Sequence, residues 1–146
     1  MRKTKTHIVL SLITIVLITL SSFSNNEEWI KYKEVDGVTI YTKTAKCDTE
    51  YNTAENDYIV FKYVNSNNYN IRISWKLDVW YNNICRSCDL DSPNEYELSL
   101  DIKANSTVNY ICSDNSKAFK IFKASEKGNM HPKVKYEFVG LAVEKL

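Results

Sequence analysis

The stretch NIRISWKLDVWY, from Asn70 to Tyr81, alternates apolar and polar residues with a period of two. Ile71, Ile73, Trp75, Leu77, Val79 and Tyr81 form one series. Asn70, Arg72, Ser74, Lys76 and Asp78 form the other, until Trp80 interrupts it. Successive side chains of an extended strand point to opposite faces, so the pattern predicts a strand with one face in a core and one in water. The segment from Glu95 to Lys103 repeats the pattern, with Tyr96, Leu98, Leu100 and Ile102 set against Glu95, Glu97, Ser99, Asp101 and Lys103. It is expected to flank the same core.

Working outward, β-branched and aromatic residues bounded by polar turns predict further strands over Ile30 to Val35, Val38 to Lys43, Tyr58 to Val64, Thr107 to Cys112, Lys117 to Lys123 and Val134 to Val143. Asp36-Gly37, between the first two, is a hairpin signal. In the last segment the inward phase passes from Tyr136 and Phe138 to Leu141 and Val143, which predicts a bulge at Gly140. Seven to eight short strands with polar turns are the pattern of an all-β antiparallel sandwich.

In this setting Ile73-Ser-Trp75-Lys-Leu77 resembles the central strand of an immunoglobulin-like sandwich, with a core tryptophan, preceded by a strand from Tyr58 to Val64. The chain is similar to small exported bacterial immunoglobulin-like β-sandwich proteins of unassigned function. The resemblance implies the architecture alone. Neither Tyr58 to Val64 nor Val134 to Val143 carries the inter-sheet cysteine of an antibody-type domain.

The chain has 146 residues, enough for one domain. Arg2, Lys3 and Lys5 precede a largely apolar run from Ile8 to Leu20, followed by Ser22, Phe23 and Ser24. That is the three-part plan of a secretory signal helix, over residues 1–24, with the β-sandwich domain over 25–146. The 13-residue run is shorter than the roughly 20 residues needed to span a bilayer. Export to a periplasm or the extracellular space is therefore expected, with no stable membrane anchor after cleavage.

The formal net charge is +1, but residues 1–24 carry three basic residues and no acidic one; without them 16 Lys and Arg face 18 Asp and Glu. A slightly acidic domain lacks the broad positive field that draws nucleic acid. Gly37, Gly128 and Gly140 are too scattered to form a phosphate loop, and no motif implies a cofactor.

Cys47, Cys85, Cys88 and Cys112 all fall after the signal, an even number in an exported chain, so disulfides are expected. Tracing the strands back and forth places all four at one pole. Three pairings are possible, and the favoured one bonds Cys47 and Cys112 separately to the two members of Cys85-Arg-Ser-Cys88. The alternative is a thiol-redox or zinc- or copper-handling loop at Cys85 and Cys88. Against redox chemistry, no helix pattern follows Cys85-Arg-Ser-Cys88 to lower a thiol pKa. Against zinc, only one close cysteine pair is present, with Met130 and His131 as the remaining soft ligands.

Other residues fit chemistry less well. His131 stands in a polar loop and would have to serve as the base of any Ser/His/Asp triad. Asp89, Asp91, Asn94 and Glu95 lack the spacing of an EF-hand. Glu95 and Glu97 share their expected strand face with Ser99, Asp101 and Lys103, as an ordinary wet face would. Asn105-Ser-Thr107 matches a glycosylation acceptor. Trp80 is more informative: an aromatic on a polar face beside the cysteine loop is placed to contact a protein or glycan partner, unless the loop covers it. The expectation is a non-catalytic binding module.

Overall fold

The computed structural model describes residues 28–49 and 52–146, which form strands and no helix. The predicted signal over residues 1–24 lies outside the described residues. In chain order the strands are β1 (Ile30–Val35), β2 (Val38–Thr49), β3 (Asn52–Asn65), β4 (Ile71–Tyr81), β5 (Ile84–Cys85), β6 (Glu97–Ile102), β7 (Ser106–Asn109), β8 (Lys120–Ser125) and β9 (Val134–Lys145).

They form two antiparallel sheets. In the first, β2 pairs with β1 on one side and along β3 on the other. The second edge of β3 is shared: β7 takes Lys62 to Asn65 and β8 takes Asn56 to Val60. In the second sheet β9 runs along β4 from Ile71 to Tyr81, and the opposite edge of β4 is again shared, by β6 at Ile71 to Lys76 and β5 at Trp80 and Tyr81.

The two sheets bury one core between them. Ile71, Ile73, Trp75, Leu77 and Val79 of β4 are all buried, as their alternation predicts, and they meet Val38, Ile40, Phe61 and Tyr63 of the first sheet. Rings bridge the layers: Phe61 meets Phe138 edge-on at 5.1 Å between centroids, Tyr63 lies 5.5 Å from Trp75, and Trp75 stacks on Phe138 at 5.2 Å. Such pairs contribute about 0.5–1.5 kcal/mol each beyond the burial of their area.

Two turn expectations hold. Asp36 and Gly37 both have positive φ, 44° and 75°, as a two-residue hairpin turn requires. In β9 the partners step from Ala142 to Val139 while β4 steps only from Ser74 to Lys76, so β9 carries one extra residue, at a Gly140 with φ 63°. This bulge turns Phe138 and Val143 to the same core.

Several strand ends differ from expectation. β2 and β3 continue well past Lys43 and start well before Tyr58, so Cys47 lies within a strand and not in a loop. The ladder from Thr44 to Asp57 is largely polar, and backbone pairing extends it where side-chain periodicity has faded. At the other end, the strand after Ser106 stops at Asn109 instead of running to Cys112. Glu95 and Tyr96 precede β6.

Candidate functional site

Register decides what the cysteines can do. Ile40 and Tyr63 are partners facing the core, so the alternate pairs Tyr41 with Lys62, Lys43 with Val60 and Cys47 with Asn56 face outward from the first sheet. In the second sheet Trp80 and Cys85 are partners on the outer face, between inward-facing Val79 and Tyr81. Cys47 and Cys85 thus point away from the outer faces of the two packed sheets, and sheets stacked face to face lie about 10 Å apart. A disulfide requires Cα atoms within about 7 Å.

The favoured pairing is accordingly corrected. Cys47 bonds to Cys112 and Cys85 bonds to Cys88, with Cα separations of 5.6 and 5.8 Å. The chain leaves the edge of β3 after Asn109 and crosses the outer face of the first sheet to reach Cys47. The Tyr110 hydroxyl donates to Cys47 Sγ, and Lys120 Nζ, from the partner of Val60, donates to the Cys112 carbonyl at 3.0 Å. Val60 is fully buried although it faces outward. Its ladder partners on that face are Lys43 on one side and Lys120 on the other.

The Cys85–Cys88 loop lies against the outer edge of β4. The Arg86 N–H donates to the Val79 carbonyl at 2.8 Å, and the Val79 N–H donates to Ser87 Oγ at 2.9 Å, which anchors a fully buried Ser87. Ser87 Oγ donates in turn to Asp78 Oδ1 at 3.4 Å, and Lys76 Nζ lies 3.3 Å from the same oxygen. Lys76 also donates to the Cys88 carbonyl at 2.7 Å, while the Cys88 N–H donates to Cys85 Sγ at 3.0 Å. Asp78, Cys85 and Cys88 offer one ligand atom each, all within 4.8 Å of one another and partly buried.

Trp80 faces outward and is partly exposed, with Cys85 as its ladder partner. Lys135, its partner on β9, sets its ammonium 4.6 Å from the ring centroid. Ile84, 59% exposed, is the partner of inward-facing Tyr81 and so lies on the other face of the sheet from Trp80. Further along the same face Arg72 forks onto both oxygens of Asp101, at 2.6 and 2.8 Å, and this hydrogen bonding holds the Asp101 carboxyl below its usual pKa.

The remaining predicted residues are dispersed. His131, Asp89 and Asp91 are exposed. Glu95 pairs with Lys117 at 2.9 Å, whereas Glu97 accepts from Asn94 at 3.3 Å. Asn105 sits in an exposed turn at the opposite pole, beside an open cleft of about 260 Å³ lined by Asn65, Ser66 and Thr107.

Sequence reasoning missed two groups. Asp78 and Lys76 read as solvated alternates of β4, although Asp78 precedes Trp80 on the face that Cys85 shares. Trp29 also went unremarked, yet Lys62 lies 4.6 Å from the centroids of both Trp29 and Tyr41 on the first sheet's outer face. Comparison of the chain with protein families, with curated proteins and with solved structures yields no match.

Proposed function

We propose that this protein is an exported, non-catalytic β-sandwich of immunoglobulin-like type that binds a protein or glycan partner through the outer face of β4 around Trp80. The observation that carries this reading is the outward, partly exposed Trp80 between Cys85 and Lys135. The ring is held on a central strand and its neighbours are fixed by a disulfide loop, so little side-chain or loop freedom is lost when a partner docks. Aromatic anchors of this kind dominate binding energy at protein interfaces and also stack on sugar rings. Two disulfides support the export reading, because such bonds form and persist in oxidising compartments.

Capture experiments with the disulfide-bonded protein, one against extracellular proteins and one against a glycan panel, test this reading. The Trp80→Ala variant is expected to lose at least about tenfold in affinity for whatever the parent captures, with its melting temperature nearly unchanged. A variant that binds equally well, or one that fails to fold, overturns the assignment of Trp80 as the contact residue.

A further inference from the structure

We propose that the Cys85–Cys88 loop is a redox-gated metal site, in which the reduced pair joins Asp78 to bind a divalent cation of the zinc class. The disulfide closes the site and the dithiol opens it. The inference does not depend on partner binding at Trp80.

Three features of the loop support it. The ligand atoms of Asp78, Cys85 and Cys88 already lie within 4.8 Å of one another. Zinc bonds of about 2.0–2.3 Å place tetrahedral ligand atoms roughly 3.3–3.8 Å apart, so small side-chain rotations complete the set once the two sulfurs separate. Next, the supporting contacts resemble those of an oriented ligand shell. Ser87 and Lys76 both address Asp78 Oδ1, which fixes the carboxylate and leaves its other oxygen without a partner among the described residues, and the Cys88 N–H points at Cys85 Sγ. Lastly, the charges balance: two thiolates, one carboxylate and a divalent cation sum to −1, which the Lys76 ammonium offsets. A mixed sulfur and oxygen set of three, with a fourth position open to solvent, suits zinc better than the all-soft set preferred by copper(I).

The chemistry is a two-electron reduction followed by metal binding. A dithiol reductant transfers two electrons and two protons to the Cys85–Cys88 bond and leaves as its own cyclic disulfide. The cation then displaces one proton from each thiol. In vitro a phosphine does the same work, taking oxygen from water to become the phosphine oxide.

The full-length protein, reduced with a phosphine, is titrated with Co2+ and then Zn2+, with circular dichroism recorded alongside. One Co2+ per chain with a thiolate charge-transfer band is expected, displaced by Zn2+, and absent from the oxidised protein. Zn2+ is expected to protect Cys85 and Cys88 from alkylation, mapped by peptide mass, while Cys47 and Cys112 react. Asp78→Asn should weaken binding by about tenfold or more, and Cys85→Ser should remove the band. The proposal is overturned by a reduced chain that binds no cation, folded or unfolded. Protection centred on Cys47 and Cys112, or unchanged affinity in Asp78→Asn, overturns it equally.

Discussion

Cys112 reaches Cys47 across the outer surface of β3, so the bond ties the segment after β7 to a strand that lies on the far side of β3. It closes a sequence separation of 65, whereas Cys85–Cys88 closes one of 3. The chain-entropy relation gives about 4 kcal/mol for the long loop and about 2 kcal/mol for the short one. Replacing both Cys47 and Cys112 by Ala is therefore expected to lower the urea midpoint clearly more than replacing both Cys85 and Cys88. Equal losses in the two double variants would contradict the role of the crossing segment as a clamp.

At the opposite pole Asn65 is almost fully buried and its amide donates to the carbonyls of Tyr69 and Lys103, both at 3.0 Å, while Oδ1 accepts from the Asn67 N–H at 3.0 Å. One side chain thus joins the turn between β3 and β4 to the turn after β6. Asn65→Leu takes this partner from the Tyr69 carbonyl and the Asn67 N–H, while the Lys103 carbonyl keeps the Ser106 hydroxyl at 2.7 Å, and a loss of about 1–3 kcal/mol is expected. Hydrogen exchange should show the amide of Asn67 losing protection first; an unaltered exchange pattern with unaltered stability would show the network to be dispensable.

The two positive-φ glycines separate strain from crowding. At Gly37, φ is 75° and an added Cβ would meet Asn67 Oδ1 at 2.6 Å, the side chain that donates to the Asp36 carbonyl. At Gly140, φ is 63° and nothing lies within 4 Å. Gly140→Asn is expected to cost under about 1 kcal/mol, because asparagine tolerates the left-handed region, and Gly37→Ala about 1–3 kcal/mol. Thermal melts of the two variants check the order; the reverse order would contradict it.

What the chain discloses unaided follows from where each side chain ends up. β4 is readable because it is central: each inward residue meets the opposite sheet, which forces the alternation from Ile71 to Val79. The bulge at Gly140 is readable for the same reason, since the apolar phase must change for both halves of β9 to reach the core. Cys47 is less accessible to such reading. Its neighbours Lys46 and Asp48 carry no apolar rhythm, so nothing marks it as a strand residue, and its disulfide partner depends on which face it takes. Asp78 is hidden by its regularity. It obeys the alternation like any solvated residue and pairs with Lys76 of its own strand, and the return of the Cys85–Cys88 loop along the strand edge brings Ser87 onto it.

Burial also sets the response to alkali. The Tyr63 hydroxyl donates to the Ala118 carbonyl at 2.5 Å in the core, and burial raises its pKa well above the ordinary 10.0. Burial is likewise the first cause of raised values at Tyr32, Tyr81, Tyr110 and Tyr136. In the unfolded chain these phenols ionise near pH 10, before they can do so in the folded one. Their preference for the neutral folded form is thus fully present below about pH 10 and is lost as pH rises from there through the folded pKa values. Stability should fall steeply above about pH 10, with phenolate absorbance rising together with unfolding. Tyr63→Phe should cost about 1 kcal/mol at neutral pH through the lost hydrogen bond, yet decline less steeply in alkali. Urea midpoints measured for both proteins from neutral pH upward decide the matter: parallel declines would mean that Tyr63 ionisation is not coupled to the fold.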